Sequence, residues 1–167
     1  MRPIPVDEWK SETRSRRSWG VAMLSLTAQQ IEASTGIPFV KDLEPGLGMF
    51  WFATAATATR AWLFAESIDG PSDVRGKTSV STREIIGGEN DLAGAIEELL
   101  EEMNLRTSDL AWIHPDLKLT PHALWRQDDH GHRYLVETFP SRADARFALR
   151  EFESHHHKQF YWIEAAR

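Results

Sequence analysis

The amino-acid sequence predicts an α+β fold: an antiparallel-rich sheet with two main helices on one face. Two segments, around residues 92–103 and 145–152, carry apolar residues at helical spacing. Short aromatic and β-branched runs bounded by Gly, Pro, Asn and Asp read as strands. These elements come twice in one order, so residues 60–113 and 123–163 each read strand, strand, helix, strand. An extra helix near the N-terminus precedes them. A chain of 167 residues is expected to form a single domain over 1–167, with 21–115 and 116–167 as two parts of one fold. Residues 1–20, with five basic and three acidic side chains, read as a solvated basic arm.

The first helix is expected over 28–34. Thr27 followed by Gln30 has capping-box spacing, and Gly36 and Pro38 end the helix. Residues 41–48 read as a loop around the Pro45-Gly46 turn. The aromatic run from Met49 to Ala53 favours a strand. Residues 53–58 (ATAATA) balance helix-favouring Ala against strand-favouring Thr and are assigned to neither. Strands are expected again over 60–66 and over 77–85, separated by a breaker-rich loop.

The acidic stretch 84–104 holds seven carboxylates and no Lys or Arg. Leu92, Ile96, Leu99, Leu100 and Met103 lie on one face of a 3.6-residue period. Asn90 is placed to cap this helix, Asp91 complements its dipole, and Asn104 suits a left-handed C-terminal residue. The apolar face belongs to the core. Glu97, Glu98, Glu101 and Glu102 are left for the flanks and outer surface, and the last two oppose the helix dipole.

A short strand over 108–113 follows. Runs at 123–127 and 133–139 flank the polar turn Asp128-Asp129-His130-Gly131 and read as a β-hairpin. Ser141 with Asp144 opens a second helix, whose stripe is Ala145, Ala148, Leu149 and Phe152. Residues 160–163 form a last strand. Most of the seven Trp fall in strand-like segments, where core filling is expected and an aromatic binding surface is the alternative.

The chain has no cysteine, which removes disulfides, thiolate nucleophiles and Cys-based zinc sites. No run of about 18 apolar residues is present, so no membrane-spanning helix is expected. Neither does the start resemble a secretory signal, and a cytoplasmic protein is the expectation. A net charge of −6 argues against nucleic acid as a partner. No Gly-x-Ser-x-Gly elbow and no His-Glu-x-x-His helix occurs. Gly87-Gly88 reads as a strand-to-helix turn, because Glu89 and Asp91 would repel a phosphate.

The histidines supply the residues with metal-ligand chemistry. His130 and His132 share a turn with Asp128, and His155 and His157 follow the second helix. An incidental role is expected for them, and no cofactor.

The segment from Arg133 to Ala145 (RYLVETFPSRADA), with the helix after it and Phe160-Tyr161-Trp162-Ile163, resembles half of a SPOR-type module. Such modules carry an aromatic-x-Val-x-x-Phe-x-Ser-x-x-x-Ala pattern running from strand to helix. The resemblance covers about 40 residues. It implies a ββαβ-like repeat and binding of cell-wall glycan, without implying particular binding residues.

Three functional expectations follow. The first is a non-enzymatic binding protein that docks a basic protein partner on Glu97, Glu98, Glu101 and Glu102, in the manner of a small acidic immunity protein. The second is a metal-dependent hydrolase centred on His130, His132, His155 and His157. The third is a SPOR-like glycan-binding module.

Overall fold

The structure, a computed structural model, describes residues 1–5, 18–44, 46–84, 92, 94–155 and 159–166. The chain divides into two compact units. The first comprises Met1–Ala95 and Asp109–Leu117, and the second Ile96–Ser108 and Lys118–Arg167.

The first unit is built on a seven-stranded antiparallel sheet. Its strands are β1 (Arg2–Pro3), β2 (Trp19–Leu24), β3 (Val40–Glu44), β4 (Gly48–Ala56), β5 (Arg60–Ser67), β6 (Thr78–Glu84) and β7 (Leu110–Ile113). The order is β1-β4-β5-β6-β2-β7, with β3 also paired to β4. Helix α1 (Ala28–Thr35) has the expected capping box. The Gln30 amide donates to Thr27 Oγ1 at 3.2 Å, and the Thr27 amide donates to Gln30 Oε1 at 2.9 Å. Gly36 closes it at φ +71°, a left-handed conformation that favours glycine. Ala28 and Ile31 of α1 are buried, as are Val21, Leu24, Trp62, Phe64 and Val80 of the sheet.

The second unit holds helix α2 (Ala95–Met103), whose first residue belongs to the first unit, strands β8 (His122–Gln127) and β9 (Arg133–Phe139), helix α3 (Arg142–Ser154) and strand β10 (Phe160–Ala165). The strands form a separate antiparallel sheet in the order β10-β8-β9. A bulge between Leu124 and Trp125 leaves Val136 as the extra residue on β9. Leu124 therefore pairs with Glu137, and Trp125 with Leu135. Helix α3 covers the Leu124 face, where Phe152 stacks on Tyr161 with ring centroids 5.4 Å apart.

The α+β class agrees with expectation, and several finer assignments need correction. The described strands form two sheets rather than one. Among the described elements α1 is not N-terminal, because β1 and β2 precede it. Only the second predicted strand-strand-helix-strand unit closes on itself. In the first, β6 and β7 both pair with β2, a strand from earlier in the chain that lies between them. Local pattern says nothing about such a neighbour, since any strand can satisfy its backbone groups against a distant one. The first half of the expected loop over 41–48 belongs to β3, which is exposed on average and so lacks an apolar signature. The ambiguous run 53–58 is strand as far as Ala56, with Ala53, Thr54 and Ala55 fully or nearly buried. The basic arm is largely outside the described residues, as are the expected cap Asn90, Gly87-Gly88, Glu89, Asp91 and His157. No helix among the described residues is long and apolar enough to cross a membrane.

Candidate functional site

The acidic helix is confirmed where it is described. Ile96, Leu99, Leu100 and Met103 are buried, and Asn104 adopts φ +54° just after the helix, as its C-terminal position anticipated. Its carboxylates have unequal surroundings. Glu97 Oε1 accepts the amide proton of Thr120 at 2.8 Å, and its Oε2 is buried with no hydrogen-bond partner among the described residues. Glu101 faces two arginines of α3. Arg146 Nη1 lies 3.3 Å from Oε2 and Arg142 Nε 3.6 Å from Oε1. A third link joins Arg150 Nη1 to Asn104 Oδ1 at 2.6 Å. Glu98 is partly buried, and Glu102 is exposed.

The histidine turn forms around Asp128. Its Oδ1 accepts from the amides of His130 and His132, each at 2.9 Å. Its Oδ2 accepts from the Tyr134 hydroxyl at 3.2 Å and lies 3.3 Å from His132 Nδ1. Desolvation alone would raise the Asp128 carboxyl. The two backbone donors, then Tyr134 and the His132 ring, outweigh it and hold the pKa below the usual value of 3.8. Tyr134 is pushed above 10.0, chiefly by its hydrogen bond to Asp128 and by that residue's negative charge. Gly131 sits at φ +84°, the left-handed conformation that closes the turn. His155 is elsewhere, at the C-terminal end of α3, with Nδ1 2.7 Å from the Glu151 carbonyl. Among the described residues no three His, Asp or Glu side chains come together in a way that could hold a metal ion.

The sheet of the second unit carries a feature the sequence pattern concealed. On the face away from α3, Trp125 pairs across the strands with Trp162, and their rings lie 6.4 Å apart and 15° from parallel. Phe160 extends the row, 5.7 Å from Trp162 at 23°. Phe160 is 65% exposed, and Leu135, beside Trp125, is 52% exposed. Polar groups border the row. Arg133 places its guanidinium 5.3 Å from the centre of the Trp162 ring, and the Trp162 indole N–H donates to Glu164 at 2.9 Å. A hollow of about 350 Å³ lined by Trp125, Leu135, Thr138 and Glu164 adjoins it. In β8 the apolar Leu124 and Trp125 are consecutive, so no period-2 alternation marks which one faces out. The bulge at Val136 obscures β9 in the same way.

In comparisons with known proteins, no family model, curated protein or solved structure matches the chain.

Proposed function

We propose that the chain is a non-enzymatic binding protein whose open aromatic face on the second unit docks a glycan. The observation that carries this reading is the row Phe160, Trp162 and Trp125, three nearly parallel rings on a sheet face with Phe160 and Leu135 largely open to water. A sugar ring has an apolar C–H face and a rim of hydroxyls. Aromatic rings bordered by a few polar groups match both, and Arg133, Thr138 and Glu164 supply donors and acceptors around the row. Single-stranded nucleic acid also stacks on aromatic rows, but it needs a basic groove. This face sets one arginine against one glutamate on a chain of net charge −6. The strand–helix–strand order of residues 133–163, the segment that resembles half of a SPOR module, is in keeping with the same reading.

The reading of a basic partner docked on the acidic helix has less support. Glu97 and Glu101, two of its four carboxylates, are engaged by Thr120 and by Arg142 and Arg146.

The test is co-sedimentation of the full chain with purified peptidoglycan, together with tryptophan fluorescence during titration with soluble N-acetylglucosamine oligomers. Retention on the pellet and a shift in emission are expected. Both should be lost in the Trp125→Ala/Trp162→Ala variant. They should weaken in Phe160→Ala/Leu135→Ser, whose exposed positions leave the fold intact. Absence of both retention and shift in the unmodified protein removes the proposal.

A further inference from the structure

We infer that a groove along α3 is a docking site for a basic protein segment in extended conformation. It lies on the helix-covered face of the sheet of the second unit, opposite the aromatic row, and it stands independently of the glycan reading. The groove encloses about 680 Å³. Phe139, Pro140, Phe147, Ala148 and Phe152 give it an apolar lining.

Its occupant is read from charge. Glu137 of β9 and Glu151 of α3 line the groove, and both are exposed. Neither carboxylate makes an ion pair or a side-chain hydrogen bond with a described residue. That sets them apart from Asp144, which also lines the groove but accepts from the Thr107 amide at 3.2 Å and the Ser141 hydroxyl at 2.6 Å. Three carboxylates (Glu137, Asp144, Glu151) thus stand against one guanidinium, that of Arg106, and the imidazole of His155. Arg106 lies 4.5 Å over the Phe147 ring, so this lining already accommodates a cation on an aromatic face. A lysine or arginine entering the groove lays its aliphatic stem on the phenyl rings and brings its head to Glu137 and Glu151.

The extended conformation follows from the topology. In the order β10-β8-β9, strand β9 has one neighbour among the described residues, and Glu137 and Phe139 belong to β9. The outer edge of such a strand presents alternate N–H and C=O groups that an added strand can pair with. A segment alternating basic and apolar residues meets the edge with its backbone and turns its basic side chains to the groove, its apolar ones to the opposite face.

The experiment uses the full chain and a fluorescent seven-residue peptide alternating Lys and Leu, with Ser/Leu and Glu/Leu peptides as controls, read by anisotropy. Saturable binding of the Lys/Leu peptide is expected, weakened by salt. Glu137→Gln/Glu151→Gln should weaken it about tenfold, the sum for two ion pairs at a groove rim. The charge-matched Glu32→Gln/Asp116→Asn variant on the first unit should bind like the unmodified protein, and so should Phe160→Ala on the opposite edge strand. Equal losses in the two charge variants would reduce the effect to overall charge and overturn the proposal. So would equal binding of the Ser/Leu peptide, or displacement by spermine at the peptide's own concentration, which would make the ligand a small polycation.

Discussion

Glu97 accepts the Thr120 amide proton at 2.8 Å, across 23 positions of the chain. One carboxylate of the acidic helix thereby anchors the strand entry that leads to β8. Replacing Glu97 with Gln keeps the acceptor and removes a charge whose second oxygen is buried with no partner among the described residues. Glu97→Gln is expected to be neutral or mildly stabilising. Glu97→Ala leaves the Thr120 amide without its acceptor and should cost about 1–2 kcal/mol. Urea unfolding of both variants checks the pair, and a Gln variant less stable than the Ala variant would refute it.

The Glu101 pairs with Arg142 and Arg146 are partly open to water, with the Glu101 side chain 26% exposed. Their worth is accordingly small. A double-mutant cycle between Glu101→Gln and Arg146→Gln should give a coupling of about 0.5 kcal/mol, shrinking as salt is added. A coupling above about 2 kcal/mol would show that the pair is far better shielded than this geometry allows.

Ser141 is fully buried, takes the Asp144 amide at 3.1 Å and donates its hydroxyl to Asp144 Oδ2 at 2.6 Å. Ser141→Ala removes the cap of α3 and should cost about 1–2 kcal/mol. Ser141→Asp retains an acceptor and should recover part of the loss unless its bulk and its charge beside Asp144 offset the gain. Thermal unfolding of the two variants gives the comparison, and an unchanged Ser141→Ala midpoint contradicts the cap's role.

Tyr134 and Asp128 provide a titration with a defined sign. The folded pKa of Asp128 is depressed, so its contribution to stability is complete above the ordinary value of 3.8 and is lost as pH falls through the lower folded value. The folded pKa of Tyr134 is raised, so its contribution is present below 10.0 and is lost as pH rises through the higher folded value. With Tyr161 replaced by Phe, the remaining tyrosine should ionise above 10.0 by phenolate absorbance. Asp128→Asn should bring it back towards that value. A tyrosine that titrates at the ordinary pH in both proteins would refute the link.

Features that depend on a few consecutive residues were legible in the sequence. The Thr27 and Ser141 caps, the left-handed Asn104, the hairpin around Asp128 and the buried stripe Ile96, Leu99, Leu100, Met103 all express local rules of period and capping. What depends on distant partners was not. Nothing near residues 19–24 announces that β2 will separate β6 from β7. Nothing in the run Glu97-Glu98-Leu99-Leu100-Glu101 foretells that Thr120 and two arginines of α3 will engage two of its acids. The aromatic row stayed hidden because Trp125 follows another apolar residue and because a bulge shifts the faces of β9. Strand tryptophans look alike in sequence whether they fill a core, as Trp62 does, or stand half-buried in a row beside exposed Phe160, as Trp125 and Trp162 do.

The division of the chain into Met1–Ala95 with Asp109–Leu117, and Ile96–Ser108 with Lys118–Arg167, also sets the order in which a growing chain can mature. Helix α2 leaves the ribosome before β7, yet the rest of its own unit is made last. The first unit must reach past α2 to collect β7 beside β2. During synthesis α2 therefore waits for the rest of its own unit. Any single cut leaves at least one unit incomplete, so simple gene fusion could not transfer each unit whole and by itself.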